Sequence, residues 1–107
     1  MKEKDMARVK LSAPERRELI LEAAIETALA VGWRSMTRDH IAERAGVACG
    51  LVGQYFDGGM TGLRDEVMRK AVLRGLAPIV AEGLASRHAE ALQASRAVKR
   101  KAAAYLA

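Results

Sequence analysis

A single cysteine, Cys49, leaves this 107-residue chain no partner for an internal disulfide. Neither Cys49 nor His40 nor His88 has neighbours at metal-ligand spacing, so no metal or other cofactor is expected. Aromatic side chains number only four while alanine and leucine abound, which favours packed helices over a sheet built from valine, tyrosine and threonine. No apolar run approaches the roughly eighteen residues of a membrane span. The first ten residues, MKEKDMARVK, lack the apolar centre of a signal peptide. These absences read as a soluble, cytoplasmic protein with no membrane partner. No nucleophile has a matched base and no phosphate loop is present, so an enzyme is not expected.

Half of the residues are hydrophobic, enough for one modest core. The formal charge of +5 suits a polyanionic partner. It is unevenly placed. Residues 1–56 hold nine Lys or Arg against eight Asp or Glu, whereas residues 57–107 hold nine against five.

Residues 1–11 carry charges without an apolar period and read as a flexible basic arm. Ser12, Pro14 and Glu15 together mark a helix start: a capping serine, a proline in the first turn and a glutamate three residues on. Ile20, Ala23, Ala24, Thr27 and Val31 then recur at helical spacing up to Gly32, which is expected to close the helix in a left-handed conformation. Trp33 and Met36 follow and are expected to be buried. Residues 37–56, TRDHIAERAGVACGLVGQYF, read as two short helices hinged at Gly46, with Ala42 small enough for a close crossing and Thr37 as N-cap. That is the layout of a helix-turn-helix unit.

The run from Ile20 to Phe56 resembles the DNA-binding domain of TetR-type transcriptional regulators. It carries I-L-x-A-A, then Gly-aromatic, then T-x-x-x-I-A-x-x-A-G-V, then G-x-aliphatic-x-x-Y-F, all in register. The resemblance implies that residues 38–45 support a recognition helix over residues 49–55 that lies in a major groove. Three positions depart from the family pattern: Ala48 stands where a capping serine is usual, Gly53 replaces a phosphate-touching tyrosine, and the glycine-rich stretch 57–62 lacks a lysine. The base-contact candidates are Cys49, Gly50, Leu51 and Gln54, with Gln54 able to pair its amide with an adenine edge. The phosphate-contact candidates are Arg34, Thr37, Arg38, Ala48, Tyr55 and Arg64.

Thr61 is expected to cap a linker helix that Pro78 ends or kinks. Residues 79–107 read as one helix, broken if anywhere near Gly83, with Leu84, Leu92, Val98 and Leu106 as dimerisation candidates. Arg96, Lys99, Arg100 and Lys101 read as a solvated helix end or a further DNA contact. The domain reading is therefore an arm at 1–11, a helix-turn-helix domain at 12–57, and a linker plus dimerisation region at 58–107. An all-α, TetR-like fold follows. The expected function is a homodimeric repressor on palindromic double-stranded DNA, without a full inducer-binding domain and hence without a small-molecule inducer. The alternative is an antirepressor or antitoxin-like module that keeps the fold and captures a protein partner.

Overall fold

The computed structural model describes residues 11–106, and among these all regular structure is helical. The arm expected at residues 1–11 lies, apart from Leu11, outside the described residues. Six α-helices follow in order: α1 Ala13–Val31, α2 Arg38–Ala45, α3 Met60–Arg74, α4 Ala77–Ala85, α5 Ala89–Leu92 and α6 Arg96–Ala103. A single 3-10 turn, Cys49–Leu51, lies between α2 and α3. None of the described helices is long and apolar enough to cross a membrane.

The expected start of α1 is realised as a complete capping box. Ser12 Oγ accepts the Glu15 N–H at 3.2 Å, and Glu15 Oε1 accepts the Ser12 N–H at 2.9 Å. Both bonds satisfy donors that would otherwise be orphaned in the first turn. The apolar stripe of α1 sends Ile20, Leu21, Ala24 and Ile25 into a core shared with Ile41, Val52, Leu63, Val67 and Met68. Each of the larger ones contributes roughly 1.5–3 kcal/mol of burial. Trp33 and Met36 are buried there as well. Gly32 does close α1, but at φ 99° and ψ 141°, outside the left-handed helical region.

Two expectations for the linker are corrected. The N-cap of α3 is Gly59 and not Thr61, which lies inside the first turn, and no side chain caps this end. Pro78 neither ends nor kinks α3. That helix stops at Gly75 in a left-handed conformation, and Pro78 falls in the first turn of α4, where its missing N–H has no helical partner to lose.

The single long helix expected after Pro78 is three short ones. The chain passes unbroken through Gly83, which is buried where a Cβ would come within 2.6 Å of the Met68 thioether and 2.7 Å of Ala91 Cβ. It breaks instead at Arg87, at φ 58°. His88 Nδ1 then caps α5 by accepting the Glu90 N–H, and Ser95 Oγ caps α6 by accepting the Val98 N–H. Folded back this way, α6 packs on α4 and buries Ala102.

Ion pairs tie α1 to α3. Glu22 receives two N–H donors from Arg74, at 3.0 and 2.5 Å, and Glu66 pairs with Arg17 and Arg69. The hydrogen bond from Arg17 holds Glu66 below the usual carboxylate value of 4.5, and that from Arg74 does the same for Glu22. Both folded values lie below the unfolded ones, so the folded state binds fewer protons. Their stabilisation is complete above pH 4.5 and is lost as pH falls through the lowered values. Both carboxylates are partly solvated, so the joint effect is about 1 kcal/mol. Thermal melts should therefore be flat near neutrality and decline below about pH 4.5, and the Glu22→Gln, Glu66→Gln double variant should show a shallower decline.

Candidate nucleic-acid interface

Thr37 begins α2 from extended backbone, φ −118° and ψ 167°. Its hydroxyl oxygen accepts the His40 N–H at 3.2 Å, while His40 Nδ1 accepts the Thr37 N–H at 3.1 Å. Histidine thus takes the place glutamate usually holds in a capping box. Ile41 and Ala42 face the core, and the helix ends at Gly46 in the left-handed region, φ 71° and ψ 34°. The Gly46 and Val47 amides both donate to Ala42 O, at 2.8 and 3.1 Å, which turns the chain sharply. A Cβ at this φ would be strained, so the corner depends on glycine.

After the corner the expected recognition helix over residues 49–55 does not form an α-helix. Leu51 donates to Ala48 O, Val52 to Cys49 O, Gln54 to Leu51 O and Phe56 to Gly53 O, each three residues back. The physical reason lies in two residues that depart from the family pattern, Ala48 and Gly53, together with Gly50, which matches it. Ala48 occupies the cap position with no side-chain acceptor, and Gly50 and Gly53 each cost about 1 kcal/mol in a helix. Such a short segment does not repay the cost of nucleating an α-helix. Buried Val52 and Phe56 anchor the turns instead.

Of the base-contact candidates, Gln54 and Gly50 are exposed and Leu51 and Cys49 are half-buried. No heavy atom lies within 4 Å of the position a Cβ would take on Gly50, so the backbone there is open to approach. Cys49 Sγ donates to Asp39 Oδ1 at 2.9 Å, and this bond pushes the thiol above its ordinary value. The side chain therefore braces the turn against α2 as a neutral thiol. A Cβ on Gly53 would press on Gly59 Cα at 3.3 Å, so the stretch 57–59 takes up the room a tyrosine would need.

Among the phosphate-contact candidates, Arg34, Thr37, Arg38 and Ala48 are exposed, and Tyr55 is half-buried against the core. Arg64 is turned inward. Its guanidinium donates to Trp33 O at 2.6 Å and Met36 O at 2.7 Å, so it braces the connection before α2 and is not free for phosphate. Arg44 is exposed and lies 3.8 Å from Glu26. Of the dimerisation candidates, Leu84 and Val98 pack against the chain's own core, whereas Leu92 and Leu106 are exposed.

Three residues that hold this surface have no role in the sequence motif. Arg17 Nε donates to Tyr55 O at 3.1 Å, and its guanidinium sits 4.5 Å from the centre of the Phe56 ring. Glu82 accepts the Trp33 and Arg34 amides, both at 2.8 Å. His88 meets the Trp33 ring edge-on at 5.5 Å and is bound through Nε2 to Asp65 at 2.7 Å. Their signal in the sequence is faint. Glu82 is the one charged residue in the otherwise apolar run APIVAEGLA.

A family model for bacterial regulatory proteins of the TetR family matches residues 20–67, the segment from the middle of α1 to the middle of α3. Residues 20–67 match the TetR-family regulatory domain. The chain is also similar to the HTH-type transcriptional regulator BetI 1 of Chromohalobacter salexigens, 42% identical over 57 residues. That match takes in 53% of this chain and 28% of the relative's length. No solved structure matches the chain.

Proposed function

We propose that this chain is a sequence-specific DNA-binding transcriptional regulator, acting as a homodimeric repressor on a palindromic operator. The observation that carries the reading is the glycine-cornered unit of α2 and the 3-10 turn, which leaves Gln54 and Gly50 exposed, as Thr37, Arg34 and Arg38 are. Gln54 supplies an amide for an adenine edge, and Gly50 permits close approach of the backbone. Arg34, Arg38 and the Thr37 hydroxyl supply phosphate contacts, with Ala48 and Tyr55 at the margin. Exposed Leu92 and Leu106, at 46% and 52%, are the side chains available to a second copy. Two copies would place their reading units in successive major grooves.

Selection from a random duplex pool, followed by anisotropy on the selected site, tests this reading. Gln54→Ala should weaken binding to the selected site roughly tenfold and relax preference at one base pair. Affinity should fall steeply with salt. Equal binding to selected and random duplexes at moderate salt would remove the proposal.

One observation favours a second reading. Residues 49–56 form turns and no α-helix, so they do not offer a groove the regular side-chain face of an inserted recognition helix. An interaction module that captures another protein would then show a stable partner in pull-down and no selected DNA sequence.

A further inference from the structure

We infer that Glu82 is a positioning residue for the DNA-reading unit, through which α4 sets the orientation of α2 and the turn that follows it. This rests on the DNA-binding reading above. Its physical basis is the connection between α1 and α2. Two amides there, those of Trp33 and Arg34, lie beyond the end of α1. Glu82 Oε2 accepts the first and Oε1 the second, each at 2.8 Å, from a residue 48 or 49 positions away. On the carbonyl side, the Arg64 guanidinium binds Trp33 O and Met36 O, while the Trp33 indole N–H donates to Arg64 O at 3.1 Å.

A carboxylate from α4 and a guanidinium from α3 therefore grip the same stretch by its donors and its acceptors. The next residue is Thr37, the N-cap of α2. Gly32 contributes by what it omits, since a Cβ there would stand 3.2 Å from Glu82 Oε2. Charge-assisted bonds of this kind are short, directional and hard to replace by water when half-buried. A displacement of α4 takes two acceptors away from the connection and frees α2 to tilt.

The sign of the effect separates positioning from simple electrostatics. Removing a carboxylate from a DNA-binding protein strengthens its attraction to phosphate. Positioning demands the opposite for the specific site. Glu82→Gln loses one acceptor together with the charge, whereas Glu82→Asp keeps the charge and falls a methylene short of the amides.

The test uses the full chain, with anisotropy on selected and random duplexes at matched salt. Backbone amide shifts and hydrogen exchange are recorded without DNA. Both variants should bind the selected duplex about tenfold more weakly, a fold-change within the usual range of coupling between sites, while random-duplex binding is unchanged or slightly tighter. The Trp33 and Arg34 amides should exchange faster, and shift changes should spread through residues 38–45 to residues 49–54. Selected-site affinity equal to or above the parent's, with shift changes confined to residues 32–36, would overturn the proposal. Should the parent chain select no duplex, the DNA reading fails, and the spread of shifts alone still decides whether Glu82 positions the unit. If one variant unfolds the other carries the test; loss of fold in both would make Glu82 a stability residue and end the claim.

Discussion

Gly62→Ala should lower the melting temperature by about 10 °C or more, equivalent to about 2–3 kcal/mol for a chain of this size. A Cβ at position 62 would lie 1.7 Å from Asp57 O and 2.8 Å from its carbonyl carbon. The obstacle is backbone, so no side-chain rotation relieves it, and either the first turn of α3 or the stretch 57–59 must move. Opposing this is the gain in helix propensity from glycine to alanine, about 0.5–1 kcal/mol, which is the smaller quantity. Gly50→Ala provides the contrast. Its Cβ would meet nothing within 4 Å, so a gain of about 0.5 kcal/mol is expected. That same variant should bind the selected duplex more weakly, because the added methyl stands where a groove would approach. Differential scanning calorimetry and anisotropy on the pair separate the two kinds of glycine. A melting temperature for Gly62→Ala within a degree or two of the parent would refute the close approach.

The glycines between Gly58 and Gly62 illustrate what the sequence could and could not convey. Read along the chain, they mark the loss of a lysine and a weakened phosphate clamp. In the fold Gly62 is the condition for packing the Asp57 carbonyl against the start of α3, while Gly58 and Gly59 take up the positive φ of the turn before it. Local signals were legible because their partners lie within four residues. The Ser12 and Glu15 capping box, the Thr37 cap and the Gly46 corner are all of that kind, and each is found where the spacing puts it. The stripe of α1 was legible for the same reason, through helical period.

The failures arose where two local rules competed or where the partner was distant. Residues 49–55 carry an apolar helical pattern together with Gly50, Gly53 and an uncapped start, and the backbone cost outweighed the pattern. Residues 79–107 carry a loose, alanine-rich apolar stripe. Ser95 and His88 nonetheless offered caps inside it, and folding back on α4 buries Ala102 and half of Val98. Arg64 looked like a phosphate ligand because it is basic and close in sequence to the motif. Its carbonyl partners lie 28 and 31 residues away and have no mark in the sequence. Gln54, Thr37 and Arg38 are exposed, as any residue that touches DNA must be, and the contacts themselves belong to the proposal.

Arg17→Met should destabilise the fold by about 2 kcal/mol, about 10 °C in melting temperature, and release the far end of the reading unit. Arg17 does three things with one guanidinium. It donates from Nε to Tyr55 O at 3.1 Å, pairs through Nη2 with Glu66, and covers the Phe56 ring at 4.5 Å. Methionine keeps the apolar stem over Phe56 but has no donor, so the Tyr55 carbonyl and one Glu66 oxygen lose their partner. Glu66 retains Arg69, which prevents a fully orphaned carboxylate and sets the loss near the lower end for charged hydrogen bonds. The side chain is 36% exposed, and the ion-pair part is discounted accordingly. Arg44→Met is the matched control, because it removes the same charge from a pair that is exposed at 3.8 Å and contributes at most about 0.5 kcal/mol. Any change in DNA affinity that the two variants share reflects net charge alone. The excess loss in Arg17→Met measures how far residues 49–56 depend on being held at Tyr55 and Phe56. Melting temperatures and selected-duplex affinities that match between the two variants would show that the Arg17 contacts contribute no more than a surface pair.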